Sequence, residues 1–252
     1  MRIVGTIEAR MGSTRTPGKT LIEIFNGISL LELVYRRFML CRNVDDVYVA
    51  TTIEPKDDVI ARWCERNSVR YHRGSESNVL DRVVKTALTA GADAIVQMGA
   101  DSAYLDFELI DHLVCLYRSG SFDYVCNDHE LTYPIGIYGH VVRVATLADV
   151  NEKKDLTDKD REDVVRYVWE HPHKYRIMNI TASPALSYPS LRLTVDYPED
   201  VKQAQVVYSK LGRFDFRTAD IIDLYCREPG IFEKTMNLIQ KSAPFLRKQG
   251  DE

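Results

Sequence analysis

Five short apolar runs, Ile3 to Ile7, Asp46 to Ala50, Val69 to His72, Ala94 to Met98 and Tyr124 to Cys126, alternate with stretches of helical period. That alternation leaves the chain few folds. Between the runs, Leu30, Leu31, Val34, Phe38 and Leu40 share one helical face, as do Val59, Ile60, Trp63 and Cys64. Val79, Val83, Val84, Ala87 and Leu88 form a third such face, and Leu109, Ile110, Leu113, Val114 and Tyr117 a fourth. Apolar strands separated by amphipathic helices make a mostly parallel sheet with helices packed over it. The expectation is an α/β protein, a Rossmann-like three-layer αβα sandwich.

At 252 residues the chain is long enough for one substantial core, so a single domain spanning 1–252 is expected. After Asn127 the alternation weakens into a segment rich in Tyr, Pro and Gly, from Thr132 to Gly139. A charged helix from Lys159 to Glu170 is predicted next, then strand-like runs at Arg176 to Thr181 and Leu191 to Val195. Residues 127–195 read as a small subdomain inserted on the sheet, because no Ser/Gly linker marks a boundary. Pro198 suits the first turn of a helix running to Leu211, which opens a helical segment over 198–243. The charged tail after Pro244 is expected to fray.

Charge excludes one large class of partner. With 33 basic against 37 acidic residues the net charge is -4, and no dense Lys/Arg block exists to neutralise a nucleic-acid backbone. Cys41, Cys64, Cys115, Cys126 and Cys226 are odd in number and form no C-x-x-C pair, so they read as reduced thiols of a cytoplasmic protein. His171 and His173 flank Pro172 and read as a loop. No signal peptide or membrane span is expected.

The chemistry begins at the end of the first strand. Residues 7–21 read I-E-A-R-M-G-S-T-R-T-P-G-K-T-L, so a buried strand empties into a loop holding Arg10, Gly12, Arg15, Gly18 and Lys19. Glycines let a backbone approach an anion, and two guanidiniums with an ammonium can offset a triphosphate. A solvated basic turn is the bland alternative. A P-loop is not: five residues separate Gly12 from Gly18 where that motif has four, and Pro17 removes an N–H from a loop that works through N–H groups.

A second stretch, V-Q-M-G-A-D-S-A-Y-L-D over 96–106, delivers Asp101 just past a strand end, at the sheet edge where ligands of open α/β sheets bind. Its carboxylate suits either Mg²⁺ or a turn hydrogen bond. A third, R-L-T-V-D-Y-P-E-D over 192–200, places Asp196 at the end of a strand-like run; Glu199 and Asp200 read as first-turn acids that complement the helix dipole.

The first loop fills every fixed position of A-R-x-x-S-x-R-x-P-G-K-x-L, with Ala9, Arg10, Ser13, Arg15, Pro17, Gly18, Lys19 and Leu21. That pattern resembles the opening signature of cytidylyltransferases that activate acidic sugars. Within them, the A-R-M-G-S-T-R run of residues 9–15 is most similar to the spore coat polysaccharide biosynthesis protein F group. The resemblance covers roughly residues 2–210 and implies a sheet of the nucleotide-diphospho-sugar transferase type. It further implies a cytoplasmic, Mg²⁺-dependent enzyme of surface polysaccharide biosynthesis that moves CMP from CTP to an acidic sugar or related acceptor, releasing pyrophosphate. Catalytic roles then fall to Arg10, Arg15 and Lys19, and metal binding to Asp101 and Asp196.

Nucleotide contacts would come from Ala9, Arg10, Gly12, Ser13 and Lys19, with the base held by the loop containing Arg73, Ser75, Asn78 and Arg82. Helix capping by Ser75 or Ser77 is the structural alternative for that loop. Asn127, Tyr133, Gly136 and Glu162 fall where such enzymes hold the acceptor, inside an insertion that also serves dimerisation, so a homodimer is implied.

The chain departs from the pattern in places. Glu8 replaces a usual glutamine, Ala100 is inserted between Gly99 and Asp101, the following proline is missing, and Asp163 stands where a histidine is common. These departures keep two other readings open: a glycosyltransferase-like enzyme using a nucleotide-sugar donor, and a non-catalytic nucleotide-binding homologue.

Overall fold

All five runs become strands. The structure, a computed structural model, describes residues 1–238. The strands are β1 (Ile3–Glu8), β4 (Asp46–Thr52), β5 (Arg70–Gly74), β6 (Ala94–Gly99) and β7 (Tyr124–Cys126), with a hairpin of β2 (Glu23–Phe25) and β3 (Ile28–Ser29) beside the sheet. The hairpin turns on Asn26 and Gly27, both left-handed at φ 49° and 78°, as a two-residue primed turn requires.

Among the described residues, β8 (His140–Arg143) and β9 (Ile177–Asn179) complete a seven-stranded sheet in the order β5-β4-β1-β6-β8-β7-β9. The β1, β4, β5 and β6 ladders are parallel, while β8 (His140–Arg143) runs antiparallel to both β6 and β7. From β1 the chain works outward through β4 and β5 and then returns to β6 on the other side of β1. The strand order therefore reverses between β1 and β6, and the gap at their carboxyl ends is the ligand crevice of an open α/β sheet.

Helices cover both faces. Ile3 and Ile7 of β1 and Ala94, Val96 and Met98 of β6 face one core with α1 (Leu30–Phe38), α2 (Asp58–Arg66), α4 (Phe107–Ser119), α8 (Pro198–Leu211) and α9 (Thr218–Arg227). Ile95 and Val142 face the other core with α3 (Val79–Thr89), α5 (Val144–Asn151) and α7 (Arg166–Glu170). Successive strand residues alternate between the two cores, the period-2 consequence of the pleat.

Residues 127–195 contribute β8 and β9 (Ile177–Asn179) to the sheet itself. Two expectations for this segment are corrected. The charged helix from Lys159 to Glu170 is two short helices, α6 (Asp158–Glu162) and α7, because Asp163 leaves helical geometry at φ -108°, ψ 107° and its carboxylate accepts the Val165 N–H. Leu191 to Val195 is not a sheet strand. Its backbone pairs instead with the loop at Ile135, whose N–H donates to Leu191 at 2.8 Å and whose carbonyl accepts from Leu193 at 2.6 Å.

Pro198 stands at the first turn of α8, and α10 (Glu233–Met236) follows α9. The end of the helical segment predicted over 198–243, and the tail after Pro244, lie outside the described residues. No helix among the described residues is long and apolar enough to cross a membrane.

Candidate functional site

Glu8 and Ala9 leave β1, and Gly99 and Asp101 leave β6, on the two sides of the crevice. Over it lies a cavity of about 830 Å³. Of the residues singled out from sequence, Ala9, Arg10, Ser13, Arg15, Lys19, Arg82, Asp101, Asn127, Tyr133, Gly136, Glu162 and Asp196 line this cavity.

Gly12, Arg73, Ser75 and Asn78 are not among its lining residues. Gly12 packs toward Lys56 and Glu76, where a Cβ would meet Glu76 at 2.8 Å. Arg73 is spent on the carbonyls of Thr52 and Glu54 and on Asp58. Asn78 caps α3 by accepting the Asp81 N–H, and Ser75 in turn accepts the Asn78 N–H. The helix cap is therefore Asn78, behind both serines in the chain.

The loop after β1 is held by backbone groups and one buried acid. Asp57 accepts the Met11 N–H at 2.6 Å and the Thr52 hydroxyl, while the Met11 carbonyl accepts from both Ser13 and Gly18. Gly18, left-handed at φ 75°, turns the chain into the single 3-10 turn Lys19–Leu21. That turn aims Lys19 inward.

Lys19 is the centre of the site. Its ammonium donates to Asp101 at 2.9 Å, to Asp196 at 3.0 Å and to the Val195 carbonyl at 2.7 Å. Burial alone would favour the neutral amine; Asp101 and Asp196 outweigh it and hold the group above its ordinary 10.5. Arg15 reaches the same Asp196 oxygen at 2.8 Å and lies over the Tyr197 ring. Arg10 stays near the mouth, 3.9 Å from Glu76. The two aspartates and the Val195 carbonyl thus point three oxygens at one place, a donor set that fits a hard divalent cation whose remaining ligands are phosphate and water.

Asp101 and Asp196 are placed differently. Gly99 makes room for Asp101, since a Cβ there would come within 2.5 Å of its carboxylate. Asp196 is anchored by Asp200, which accepts the N–H groups of Asp196 and Tyr197 at 2.9 Å each and is bridged twice by Arg192 at 3.0 Å. Arg192 and Asp200 are each only 1 % exposed, so this is a buried, hydrogen-bonded ion pair. Asp200 read from sequence as a dipole-complementing acid; its side chain also organises the turn that presents Asp196.

A polar row crosses the cavity floor, unread from sequence apart from the flag on Glu8. Glu8 on β1, Gln97 on β6 and His140 on β8 share one face of the sheet. With the imidazole doubly protonated, His140 donates to Gln97 at 2.8 Å and to Asp128 at 3.0 Å, and the Gln97 amide donates to Glu8 at 2.6 Å. Burial alone would lower His140, but Asp128 outweighs it and the group is raised above its ordinary 6.5. Glu8 as a residue is only half-buried, yet its Oε1 is closed to solvent and unpartnered. Burial pushes that carboxyl from 4.5 up to about 8, against the opposing Gln97 bond and Arg82 charge.

On the far wall, Asn127 uses both ends of its amide on the loop backbone, donating to Ile137 and accepting from Gly139. Gly136, at φ 96°, lets the loop touch the 191–195 backbone; a Cβ there would lie 2.6 Å from Leu193. Tyr133 is buried beside it, and Glu162 is exposed at the rim. His171 bonds the Tyr167 carbonyl and stacks on that ring. All five cysteines are free, with Cys115 and Cys226 exposed.

The chain matches the family described as Cytidylyltransferase over residues 4–251. It is 33 % identical over 231 residues to the spore coat polysaccharide biosynthesis protein SpsF of Bacillus subtilis (strain 168), covering 90 % of this chain and 95 % of that protein. It is 26 % identical over 248 residues to the 8-amino-3,8-dideoxy-manno-octulosonate cytidylyltransferase of Shewanella pealeana, covering 96 % and 86 %. Among solved structures, a cytidylyltransferase from Leptospira borgpetersenii serovar Hardjo-bovis superposes with a TM-score of 0.86 at 26 % identity, covering 96 % of this chain and all of that one.

Proposed function

The chain belongs to the cytidylyltransferase family, and from that premise we propose that it transfers CMP from CTP to an acidic sugar or related acceptor, releasing pyrophosphate. The cofactor is Mg²⁺, and the product enters a surface polysaccharide or other glycoconjugate. The observation that carries this reading is the meeting of Arg10, Arg15 and Lys19 with Asp101 and Asp196 in one cavity at the strand-order reversal.

In this reading Arg10, Arg15 and Lys19 hold the triphosphate and Asp101 and Asp196 hold the cation. A Mg²⁺ held by Asp101 and Asp196 would supply positive charge against the negative charge that builds during transfer. The residues do little covalent chemistry. Their work is to align the acceptor oxygen with the α-phosphorus and to stabilise the departing pyrophosphate. Ala9 and Arg82 flank the nucleoside, while the Tyr133 to Gly136 loop and Glu162 wall the acceptor side. The segment 127–195 then serves the acceptor site and a homodimer contact, and the enzyme works in the cytoplasm.

Pyrophosphate release from CTP, assayed over a panel of acidic sugars with Mg²⁺, tests the reading. Asp101→Ala should lower turnover by about 10²-fold or more, as losing one charge-stabilising group does elsewhere. Near-normal turnover in that variant would overturn the metal assignment. Transfer from a nucleotide-sugar without pyrophosphate release would overturn the reaction class.

A further inference from the structure

The place where three oxygens converge is filled by the protein itself. Lys19 has three N–H donors and spends them on Asp101, Asp196 and the Val195 carbonyl. A divalent cation on the same carboxylates would need the same space and would stand at contact distance from a like charge. The two occupancies exclude each other.

We propose that Lys19 is the internal counter-ion of the cation site: it holds Asp101 and Asp196 together in the nucleotide-free protein, keeps a divalent cation out, and leaves for the triphosphate when the nucleotide binds. The cation site is then completed by the nucleotide, and the two ligands load together. This rests on the reading of Asp101 and Asp196 as metal ligands.

Three observations support the exchange. The charges balance without any ligand, because Lys19, Arg15 and Arg192 stand against Asp101, Asp196 and Asp200. Adding a divalent cation alone would leave two uncompensated positive charges beside buried groups, where Lys19 is 9 % and Asp196 2 % exposed. A triphosphate reverses that sign, since its roughly four negative charges accept Lys19 and Arg15 and leave the carboxylates to the cation.

The second observation is that the backbone carrying each carboxylate is held without Lys19. Asp196 is held through the Asp200 bonds to its own N–H and to Tyr197, and the Asp196 carbonyl accepts the Thr16 hydroxyl at 2.8 Å. Asp101 is held through its carbonyl, which accepts the Val195 N–H at 3.2 Å. The third is that Lys19 can move. It sits on a single 3-10 turn entered through the left-handed Gly18, at the end of a long, flexible stem.

Mn²⁺ serves as the probe, titrated into the full chain with and without α,β-methylene-CTP, a non-reacting analogue, with free Mn²⁺ read by electron paramagnetic resonance. Wild type should bind Mn²⁺ at least about tenfold more tightly with the analogue than without, and Mn²⁺ should tighten the analogue by the same factor. Lys19→Met should bind Mn²⁺ without nucleotide at least about tenfold more tightly than wild type, while its affinity for the analogue falls.

Those opposite shifts are what a purely structural lysine would not produce. Adding Asp101→Asn to Lys19→Met should remove the gain. Circular dichroism checks that Lys19→Met is folded; if it is not, Lys19→Gln carries the same expectations. Equal Mn²⁺ affinity of nucleotide-free wild type and the lysine variant overturns the exchange alone. Failure of wild type to bind Mn²⁺ even with the analogue overturns the metal reading as well.

Discussion

Asp200 and Glu8 mark how much one carboxylate can depend on its surroundings. Both are acids in a chain rich in them, and nothing in their local sequence tells what will surround them. Asp200 is enclosed with Arg192 and two backbone N–H donors, so both its oxygens are bonded. Glu8 receives one amide donor from Gln97 and is otherwise closed in, so its carboxyl keeps its proton up to about pH 8. Folding therefore takes up a proton at Glu8 between its ordinary 4.5 and about 8. The associated stability is complete below that window and is lost as pH rises through it.

Glu8→Gln, which carries no charge at any pH, removes the loss. Its unfolding free energy relative to wild type should climb between about pH 5 and 8 by on the order of a few kcal/mol, then level off. Urea titrations at several pH values measure this. A difference that stays flat across the window would show that Glu8 is ionised in the folded protein. In the sequence Glu8 is a departure from the family pattern, next to a loop of cations. Its neutrality was beyond reach there, because the burial comes from strands far along the chain.

At the scale of elements, the loop from Tyr133 to Ile137 and the run from Leu191 to Val195 act as one unit. They pair through Ile135, and Gly136 makes the contact close enough for the pair to form. Gly136→Ala therefore meets two obstacles, a left-handed backbone at φ 96° and a Cβ 2.6 Å from Leu193. Gly27 meets only the first, with φ 78° and open space around it.

Gly27→Ala should cost about 1 kcal/mol and Gly136→Ala at least about 2, with the acceptor wall displaced in the second. Chemical denaturation of the two variants compares them directly; equal costs would mean the close approach is unimportant. Leu193 and Val195 alternate as a strand should, so the sequence pointed to the sheet. An alternating pattern specifies an extended backbone with one buried side and leaves the pairing partner open. β8 escaped notice for the converse reason: it offers only Val141 and Val142 as apolar signal and follows a turn-rich segment.

At the scale of the whole molecule, the described residues are built on one seven-stranded α/β sheet with a two-stranded hairpin beside it, and strand order sets where the crevice lies. With β1 flanked by β4 and β6, the cationic loop after β1 faces the acid after β6, and the Leu191 to Asp196 run completes the ring of groups. Any ligand bridging these segments binds only the folded chain. CTP with Mg²⁺ at a hundredfold its dissociation constant should stabilise the fold by about 2.7 kcal/mol, raising the melting temperature by roughly 5–10 °C. A thermal-shift series over the nucleoside triphosphates reads both the effect and the base preference. Absence of any shift with all of them would sink the nucleotide reading.

What the sequence determined by itself was local: strands and helices with a strong period, the Arg10 to Lys19 loop, and the two aspartates at the ends of apolar runs. Each of these is written within a window of about fifteen residues, where period and turn chemistry act. Only the tertiary structure decided what those groups face. Lys19 bonds Asp101 and Asp196 across 82 and 177 residues of chain, and Glu8 meets Gln97, which in turn meets His140, through the register of three neighbouring strands. The physical reason is that an ion pair or a buried carboxyl takes its energy from neighbours and dielectric, and strand order sets both.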